Sequence, residues 1–250
     1  MTLEEIDFLN GISSLIFVVV SIVIGLTILY KYFKLGDRAF LFIGFGLMAI
    51  SEPWIPSGVS FLWNLFFEKG LSLEIYVILG NIFVPLGILC WLVGFTDLIF
   101  PKQQKPILIT YILIGLCFEI VFFILLFTAP ALIGEFSAES LVVHIDIEYR
   151  TFILGYLLFV VATVFVTGII FAYTSIKSKS PPIQLKGKFI LTATILWSLG
   201  AILDTSIPLT IYTLPITRIF LVISALLYYM GFLTPQKITQ LILKEKTVAT

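Results

Sequence analysis

Seven separate stretches of about 20 mostly apolar residues divide this chain of 250 residues, and that length lets an α-helix cross the hydrocarbon core of a bilayer. Sixty per cent of the residues are apolar, 12% are charged and the mean hydropathy is +1.13. Soluble domains have roughly 45–50% apolar and about 25% charged residues. The composition excludes a water-soluble enzyme, a disordered chain and a disulfide scaffold, and the zero formal net charge excludes a nucleic-acid binder.

The sequence predicts an all-α integral membrane protein, a seven-transmembrane-helix bundle that occupies residues 1–235. The predicted spans are residues 11–30, 39–56, 75–100, 107–129, 151–176, 189–207 and 214–233. The longest connections, residues 57–74 and 131–150, are predicted on the same side of the membrane. Residues 236–250 are predicted to form a cytoplasmic amphipathic tail that lies on the inner leaflet.

The basic residues predict how the chain is threaded. With seven spans, 12 of the 15 Lys and Arg residues fall on one side of the membrane, while the other side collects acids. Because cytoplasmic loops carry the excess of Lys and Arg, we expect the N-terminus outside and the C-terminus in the cytoplasm. The expected location is the cell membrane, as a multi-pass protein of a prokaryotic plasma membrane. The first span is expected to remain as an anchor, because no basic segment typical of a signal peptide precedes it.

An internal repeat is suggested by matches between the two ends of the chain. Trp91 in the third span aligns with Tyr228 in the seventh, and Glu52 in the second span aligns with Asp204 in the sixth. These matches predict a parallel 3+1+3 repeat, with the fourth span as the connector. The alternative is coincidence among helices of similar apolar composition.

Four polar residues near the outer ends of the predicted spans form the candidate ligand-binding site: Glu52, Asn81, Asp204 and Arg218. Ionisable groups inside a membrane are costly and often functional. The repeat places them in one outward-facing ring. One interpretation is a structural tie in which Arg218 neutralises Asp204. The other is an external vestibule with one spare negative charge, which favours a cation or a polar solute.

Glu119, near the middle of the fourth span, is the candidate proton-sensitive residue. It shares a helix face with Tyr111 and Gly115, and we expect that face to point into the bundle. No basic residue in the fourth span can neutralise it. The alternatives are a proton-sensing or proton-carrying role and a neutral carboxyl that donates a hydrogen bond to a neighbouring helix.

Several other residues are predicted to be structural. Asp97 is expected near Lys102 and Lys105 at the cytoplasmic surface. Pro85 is expected to bend the third span beside Asn81. The glycines of the third span recur every seven residues and predict close helix packing. They are Gly80, Gly87 and Gly94.

Sequence motifs for catalysis are absent. The chain has one histidine, which excludes a multi-histidine metal centre, and it lacks phosphate-loop, nucleophile-elbow and zinc-protease motifs. In an extended segment, His144, Asp146 and Glu148 share one face, which suits a solvated acidic loop better than a metal site. We predict no enzyme activity, no catalytic residue, no cofactor and no metal.

The segment Tyr228-Tyr229-Met230-Gly231-Phe232-Leu233-Thr234-Pro235, followed by a short lysine-bearing helix, resembles the exit from the seven-helix input module of archaeal and bacterial sensor histidine kinases. The overall plan is also similar to the microbial rhodopsins, but residues 213–233 contain no lysine to hold retinal. It is similar to SWEET-type sugar transporters too, although the first and fifth spans have no matched prolines.

The resemblance implies a sensory or receptor-like protein that binds a small molecule or ion from outside and signals to a cytoplasmic or membrane partner. Two alternatives are a small-solute transporter and a structural subunit of a membrane complex. The cytoplasmic half of the spans has few polar residues, mainly Asp97, Thr192 and Thr194, which favours sensing over transport. The expected surroundings are the lipid bilayer, and no nucleic acid is expected as a partner.

Overall fold

The computed structural model describes residues 4–137, 144–207 and 209–243. In this part of the chain, seven helical segments are long and apolar enough to cross a membrane. We number them as spans 1 to 7: Glu5–Leu35, Arg38–Phe67, Leu73–Ile99, Gln104–Thr128, Thr151–Ile176, Pro181–Ser206 and Thr213–Leu233. The prediction of a seven-helix bundle is confirmed, and the protein is a multi-pass membrane protein.

Spans 1, 4, 5, 6 and 7 are single helices, α1, α6, α7, α8 and α9 in chain order, whereas spans 2 and 3 are each broken. Span 2 consists of α2 (Arg38–Ala49), a 3-10 turn (Glu52–Trp54) and α3 (Ile55–Phe67). Span 3 consists of α4 (Leu73–Asn81) and α5 (Val84–Ile99).

The predicted end of the second span at residue 56 is wrong, and so is the assignment of residues 57–74 to a long connection. Pro53 lies in the first turn of the 3-10 segment and Pro56 in the first turn of α3. At these positions the missing N–H breaks no helical hydrogen bond. The two prolines therefore redirect the helix, which resumes and continues to Phe67.

The predicted bend in span 3 is confirmed. The helix is interrupted at Ile82 and Phe83, and Pro85 lies in the first turn of α5. The break leaves the backbone N–H of Phe83 available to a side chain, and the carboxyl of Glu52 accepts it at 2.8 Å. A side chain of span 2 thus completes the interrupted backbone of span 3.

The spans form a closed ring of neighbours. Span 1 packs against spans 2 and 7, span 2 packs against span 3, span 3 packs against span 5, and spans 5, 6 and 7 pack in sequence. Span 4 lies at the periphery against span 3 and shows most of its surface to the surroundings. The predicted glycine stripe faces span 2, because Gly80 lies against Pro56, Gly87 against Ala49 and Gly94 against Ile43.

A small β-hairpin in the connection between spans 4 and 5 is an exception to the all-α prediction. A 3-10 turn (Pro130–Leu132) leads into β1 (Gly134–Phe136), which pairs antiparallel with β2 (Ile147–Tyr149). After span 7, the predicted tail contains helix α10 (Gln236–Leu243). Two of its predicted basic residues, Lys244 and Lys246, lie outside the described residues.

We predict that Gly46→Ala destabilises the bundle. A Cβ atom at this position would lie 2.9 Å from the backbone Cα and N atoms of Trp91, so spans 2 and 3 would have to move apart. Overpacking of this kind costs about 1–3 kcal/mol. The control is Gly155→Ala, where a Cβ would meet no atom within 4 Å. Thermal unfolding in detergent should show a lower Tm for Gly46→Ala only, and equal Tm values would contradict the close packing.

Candidate functional site

A cavity of about 420 Å³ lies at the end of the bundle that carries the β-hairpin, which is the predicted outer end. Spans 2, 3, 5, 6 and 7 and strand β2 contribute its walls. Its volume lies within the range of about 300–1,000 Å³ that is typical of small-molecule sites. The ionisable side chains of its lining include Asp146, Glu148, Asp204 and Arg218.

Arg218 anchors one wall of the cavity and is only 3% exposed. Its Nη1 forms an ion pair with Asp204, and its Nη2 donates to Oδ1 of Asn10 at 2.9 Å. The predicted tie between Arg218 and Asp204 is confirmed. Asn10 was not predicted, because it precedes the predicted first span, whereas α1 begins at Glu5 and carries Asn10 on its buried face.

The carboxylate of Asp204 is satisfied by three side chains. Besides Arg218, it accepts a hydrogen bond from Nε1 of Trp54 at 2.8 Å and one from Oγ1 of Thr217 at 3.2 Å. Spans 1, 2, 6 and 7 therefore meet at a single buried ion pair. A buried ion pair is stable only when further hydrogen bonds satisfy its remaining polar atoms.

The β-hairpin brings a second carboxylate to the cavity. Oη of Tyr76 donates to the carbonyl of Ile145 at 2.9 Å, and Nδ1 of His144 lies 2.6 Å from the carbonyl of Leu71. These contacts fasten the strand, so that Asp146 lines the cavity together with Asp204 and Arg218.

The environment of Asp146 changes its acidity. Burial and, to a smaller extent, the nearby carboxylate of Asp204 raise the pKa of Asp146 to about 6, and the attraction of Arg218 offsets only part of this rise. The sequence placed Asp146 in an acidic loop and gave no sign that this loop folds back onto the bundle.

Two buried nitrogen atoms of the cavity residues have no hydrogen-bond partner among the described residues. They are Nε1 of Trp197 and Nε of Arg218, and each of these residues is 3% exposed. Both atoms are donors. A buried donor without an acceptor costs free energy, so the described residues leave this wall of the cavity incompletely hydrogen-bonded.

The predicted ring of four polar residues is not formed. Asp204 and Arg218 come together, but Glu52 binds the backbone N–H of Phe83 and Asn81 donates to Oη of Tyr149 at 3.0 Å. Neither Glu52 nor Asn81 belongs to the lining of the cavity. The prediction failed because it treated Glu52 as the end of a helix, whereas Glu52 lies midway along span 2.

Glu119 lies on the predicted face of span 4. Tyr111 and Gly115 share this face, with Oη of Tyr111 2.8 Å from Oγ1 of Thr163 in span 5 and Gly115 next to Pro85 in span 3. Glu119 is half-buried, and its Oε2 has no hydrogen-bond partner among the described residues. The expected hydrogen bond to a neighbouring helix is thus not formed through this atom, and a proton-linked role for Glu119 stays a prediction.

Asp97 has two partners that the sequence did not predict. Asp97 binds Arg38 through two hydrogen bonds of 2.9 and 2.7 Å and accepts a third from Gln104 at 2.6 Å. Lys102 and Lys105 are exposed. The planar guanidinium of Arg38 matches both carboxylate oxygens, which an ammonium group cannot do.

No group of three or more His, Cys, Asp or Glu side chains that could hold a metal ion occurs in the described part of the chain. The ring of His144 instead stacks on Phe136 with 4.1 Å between ring centroids. The chain matches no protein-family model, no curated protein and no solved structure.

We predict that Arg218→Met strongly destabilises the protein, because it leaves the Asp204 carboxylate buried without its cation. The expected loss in the free energy of unfolding is about 3–5 kcal/mol. Arg150→Met is the matched control, since the Arg150–Glu135 pair is half exposed on both sides; its loss should stay below about 1 kcal/mol.

Reversible denaturation in mixed micelles measures both variants. The double variant Arg218→Met/Asp204→Asn should recover part of the lost stability, because it also removes the unpaired charge. If Arg218→Met unfolds like the wild type, the ion pair does not hold the four spans together.

Proposed function

We propose that this protein is a receptor-like membrane sensor that binds a small organic cation in the outer cavity and signals to a partner on the opposite side. The observation that carries the proposal is the unequal charge of the cavity, whose described lining contains the carboxylates of Asp146, Glu148 and Asp204 and, as its one Lys or Arg side chain, Arg218. The proposal adopts the predicted orientation, in which the β-hairpin faces the outside.

The charge balance of the cavity favours a positive ligand. Arg218 is already bonded to Asp204 and Asn10. The neighbouring cation Arg150 forms an ion pair with Glu135, 2.6 Å away. The described lining thus carries three carboxylates and one guanidinium, and a cation that enters the cavity would offset the negative balance.

Aromatic side chains make the cavity suitable for an organic cation rather than a metal ion. Trp54, Tyr76, Tyr149 and Trp197 are among its lining residues. The faces of aromatic rings attract ammonium groups, and sites for quaternary ammonium ligands are built on this attraction.

The packing below the cavity favours binding over transport. A second cavity of about 10 Å³ lies below the first, and both are bounded by Ile50 and Trp197. A space of this size holds at most about one water molecule. Farther along, the rings of Trp91 and Tyr228 pack edge to face, with 5.9 Å between their centroids. These side chains block a pathway for a solute from the cavity toward the opposite end of the bundle.

A transporter is the second candidate, and the predicted repeat supports it. Trp91 and Tyr228 contact each other, as equivalent residues do near a pseudo-twofold axis. Gly94 packs on Ile43, and Gly231, its equivalent when Trp91 is aligned with Tyr228, packs on Ile190. The alignment of Glu52 with Asp204 would instead make Ile195 the equivalent of Ile43. The packing thus supports a repeat of spans 3 and 7 but not the equivalence of Glu52 and Asp204.

The signalling step is proposed as a helix shift. Spans 6 and 7 meet at the Asp204–Arg218 pair at the outer end. At the other end, span 7 leads into α10, which contacts span 6. Span 2 contributes Trp54 to the same pair from its 3-10 turn. A cation that draws Asp146 or Asp204 toward itself would move these elements together. The partner would read this movement at the cytoplasmic end, as in the sensor modules that the sequence resembles.

We predict that small organic cations bind and that their neutral isosteres do not. The probes are choline, ethanolamine, putrescine and the neutral carbon isostere of choline, 3,3-dimethylbutan-1-ol. Isothermal titration with the protein in lipid nanodiscs should detect binding of at least one cation and none of the isostere. If no cation in this panel binds better than the isostere, the proposed function is wrong. Robust uptake of a bound cation into proteoliposomes would favour the transporter.

Asp146 should control this binding and its pH dependence. Asp146→Asn should weaken binding of the cation at least about tenfold, which corresponds to about 1.4 kcal/mol. Glu74→Gln, which removes an exposed carboxylate outside the cavity lining, is the charge-matched control. In the wild type, affinity should fall as the pH drops through about 6, because Asp146 then takes up a proton and loses its charge. An unchanged affinity in Asp146→Asn would contradict the role of this residue.

A further inference from the structure

A second group of polar side chains lies beside the break in span 3, outside the lining of the cavity. Glu52 is 2% exposed, and its Oε1 accepts the N–H of Phe83 at 2.8 Å. Its other oxygen, Oε2, is buried and has no hydrogen-bond partner among the described residues. One oxygen of this carboxyl therefore bonds to the backbone of span 3, and the other has no partner among the described residues.

Asn81 lies two residues before Phe83 and has the same deficit. It is 0% exposed, and its Nδ2 donates to the carbonyl of Val77 at 2.8 Å and to Oη of Tyr149 at 3.0 Å. Both hydrogens of the amide are thus used. Its Oδ1 is buried without a partner in the described part of the chain.

The two unsatisfied atoms are both acceptors, so what is missing is a donor. An ionised carboxylate can only accept hydrogen bonds, whereas a protonated carboxyl carries one O–H donor. A proton on Oε2 of Glu52 would remove the charge of the carboxyl and turn this buried atom into a donor.

The surroundings of Glu52 offer no other compensation for a charge. The three ion pairs of the described residues do not include Glu52, and Arg218 is bonded to Asp204 and Asn10. The titratable groups that face it from other elements are Glu119 on span 4 and Tyr149 on β2. Neither is a cation. A buried carboxylate without a positive partner is strongly unfavourable inside a membrane.

We propose that Glu52 is a proton-binding site, neutral at physiological pH, whose proton stabilises the packing of span 2 against the break in span 3. The site is distinct from the cation cavity, but Tyr149 belongs to both: it lines the cavity and accepts a hydrogen bond from Asn81. Loss of the proton would leave a buried charge on Glu52 and two unsatisfied acceptors, Oε2 of Glu52 and Oδ1 of Asn81. Deprotonation would thus loosen spans 2 and 3 below the hairpin.

Infrared spectroscopy tests the presence of the proton. Wild-type protein in nanodiscs at neutral pH should show a protonated-carboxyl C=O band that shifts in D2O. The band should persist in Glu119→Gln, which removes the other membrane-embedded acid of this region, and vanish in the double variant Glu52→Gln/Glu119→Gln. A band that survives in the double variant, or a Glu119→Gln protein without a band, would overturn the proposal. Loss of the wild-type band when sodium replaces potassium at constant pH would also overturn it, in favour of a metal-cation site.

The pH dependence of stability is the second measurement. Above the pH range in which an exposed carboxyl titrates, Glu52 would keep its proton in the folded protein and lose it on unfolding. The folded-to-unfolded ratio should therefore fall by about tenfold per pH unit as the pH rises. Asp146 titrates in both proteins, so the comparison of wild type with Glu52→Gln isolates the contribution of Glu52. Glutamine resembles the neutral acid in shape and also carries a donor, so the variant should fold and lose this slope. A variant that fails to fold, or one that keeps the wild-type slope, would contradict the proposal.

Discussion

The ion pair between Arg218 and Asp204 is the interaction on which the outer half of this bundle depends. A charged side chain in an apolar bundle must be paired and hydrogen-bonded, and here the partners come from four different spans, with Asn10 and Trp54 completing the pair. This requirement fixes spans 1, 2, 6 and 7 against one another. It also leaves a space beside the pair that the hairpin and the aromatic side chains enclose.

The breaks in spans 2 and 3 separate the polar residues into two assemblies. Trp54 points toward Asp204 and the cavity, whereas Glu52, two residues earlier, points toward the interrupted backbone of span 3. Tyr149 on the hairpin contacts both assemblies, because it lines the cavity and bonds to Asn81. A ligand that moves the hairpin would therefore also disturb the Glu52 site, and this geometry offers a physical route from binding to helix movement.

Features set by local composition could be predicted from the sequence, and features set by tertiary contacts could not. Apolar length identified the seven spans, Pro85 identified a break, and the proximity of spans 6 and 7 identified the Arg218–Asp204 pair. Glu52 was misplaced because a proline at the start of a helical segment and a proline that ends one look alike in sequence. Asp146, Asn10 and Trp54 were missed because their roles depend on how a loop folds back and on which helix faces meet. Arg38 was missed as a partner of Asp97 because the two residues are distant in sequence.

Membrane orientation decides whether the cavity can receive a ligand from outside. Two single-cysteine variants would be made in a Cys90→Ala/Cys117→Ala background and treated with a membrane-impermeant thiol reagent. They are Glu148→Cys, at the exposed position of the strand beside the cavity, and Lys179→Cys, in the turn between spans 5 and 6. Labelling of Glu148→Cys in intact cells, with labelling of Lys179→Cys only after permeabilisation, is the predicted result. The reverse pattern would put the cavity on the cytoplasmic side and contradict its role as an external binding site.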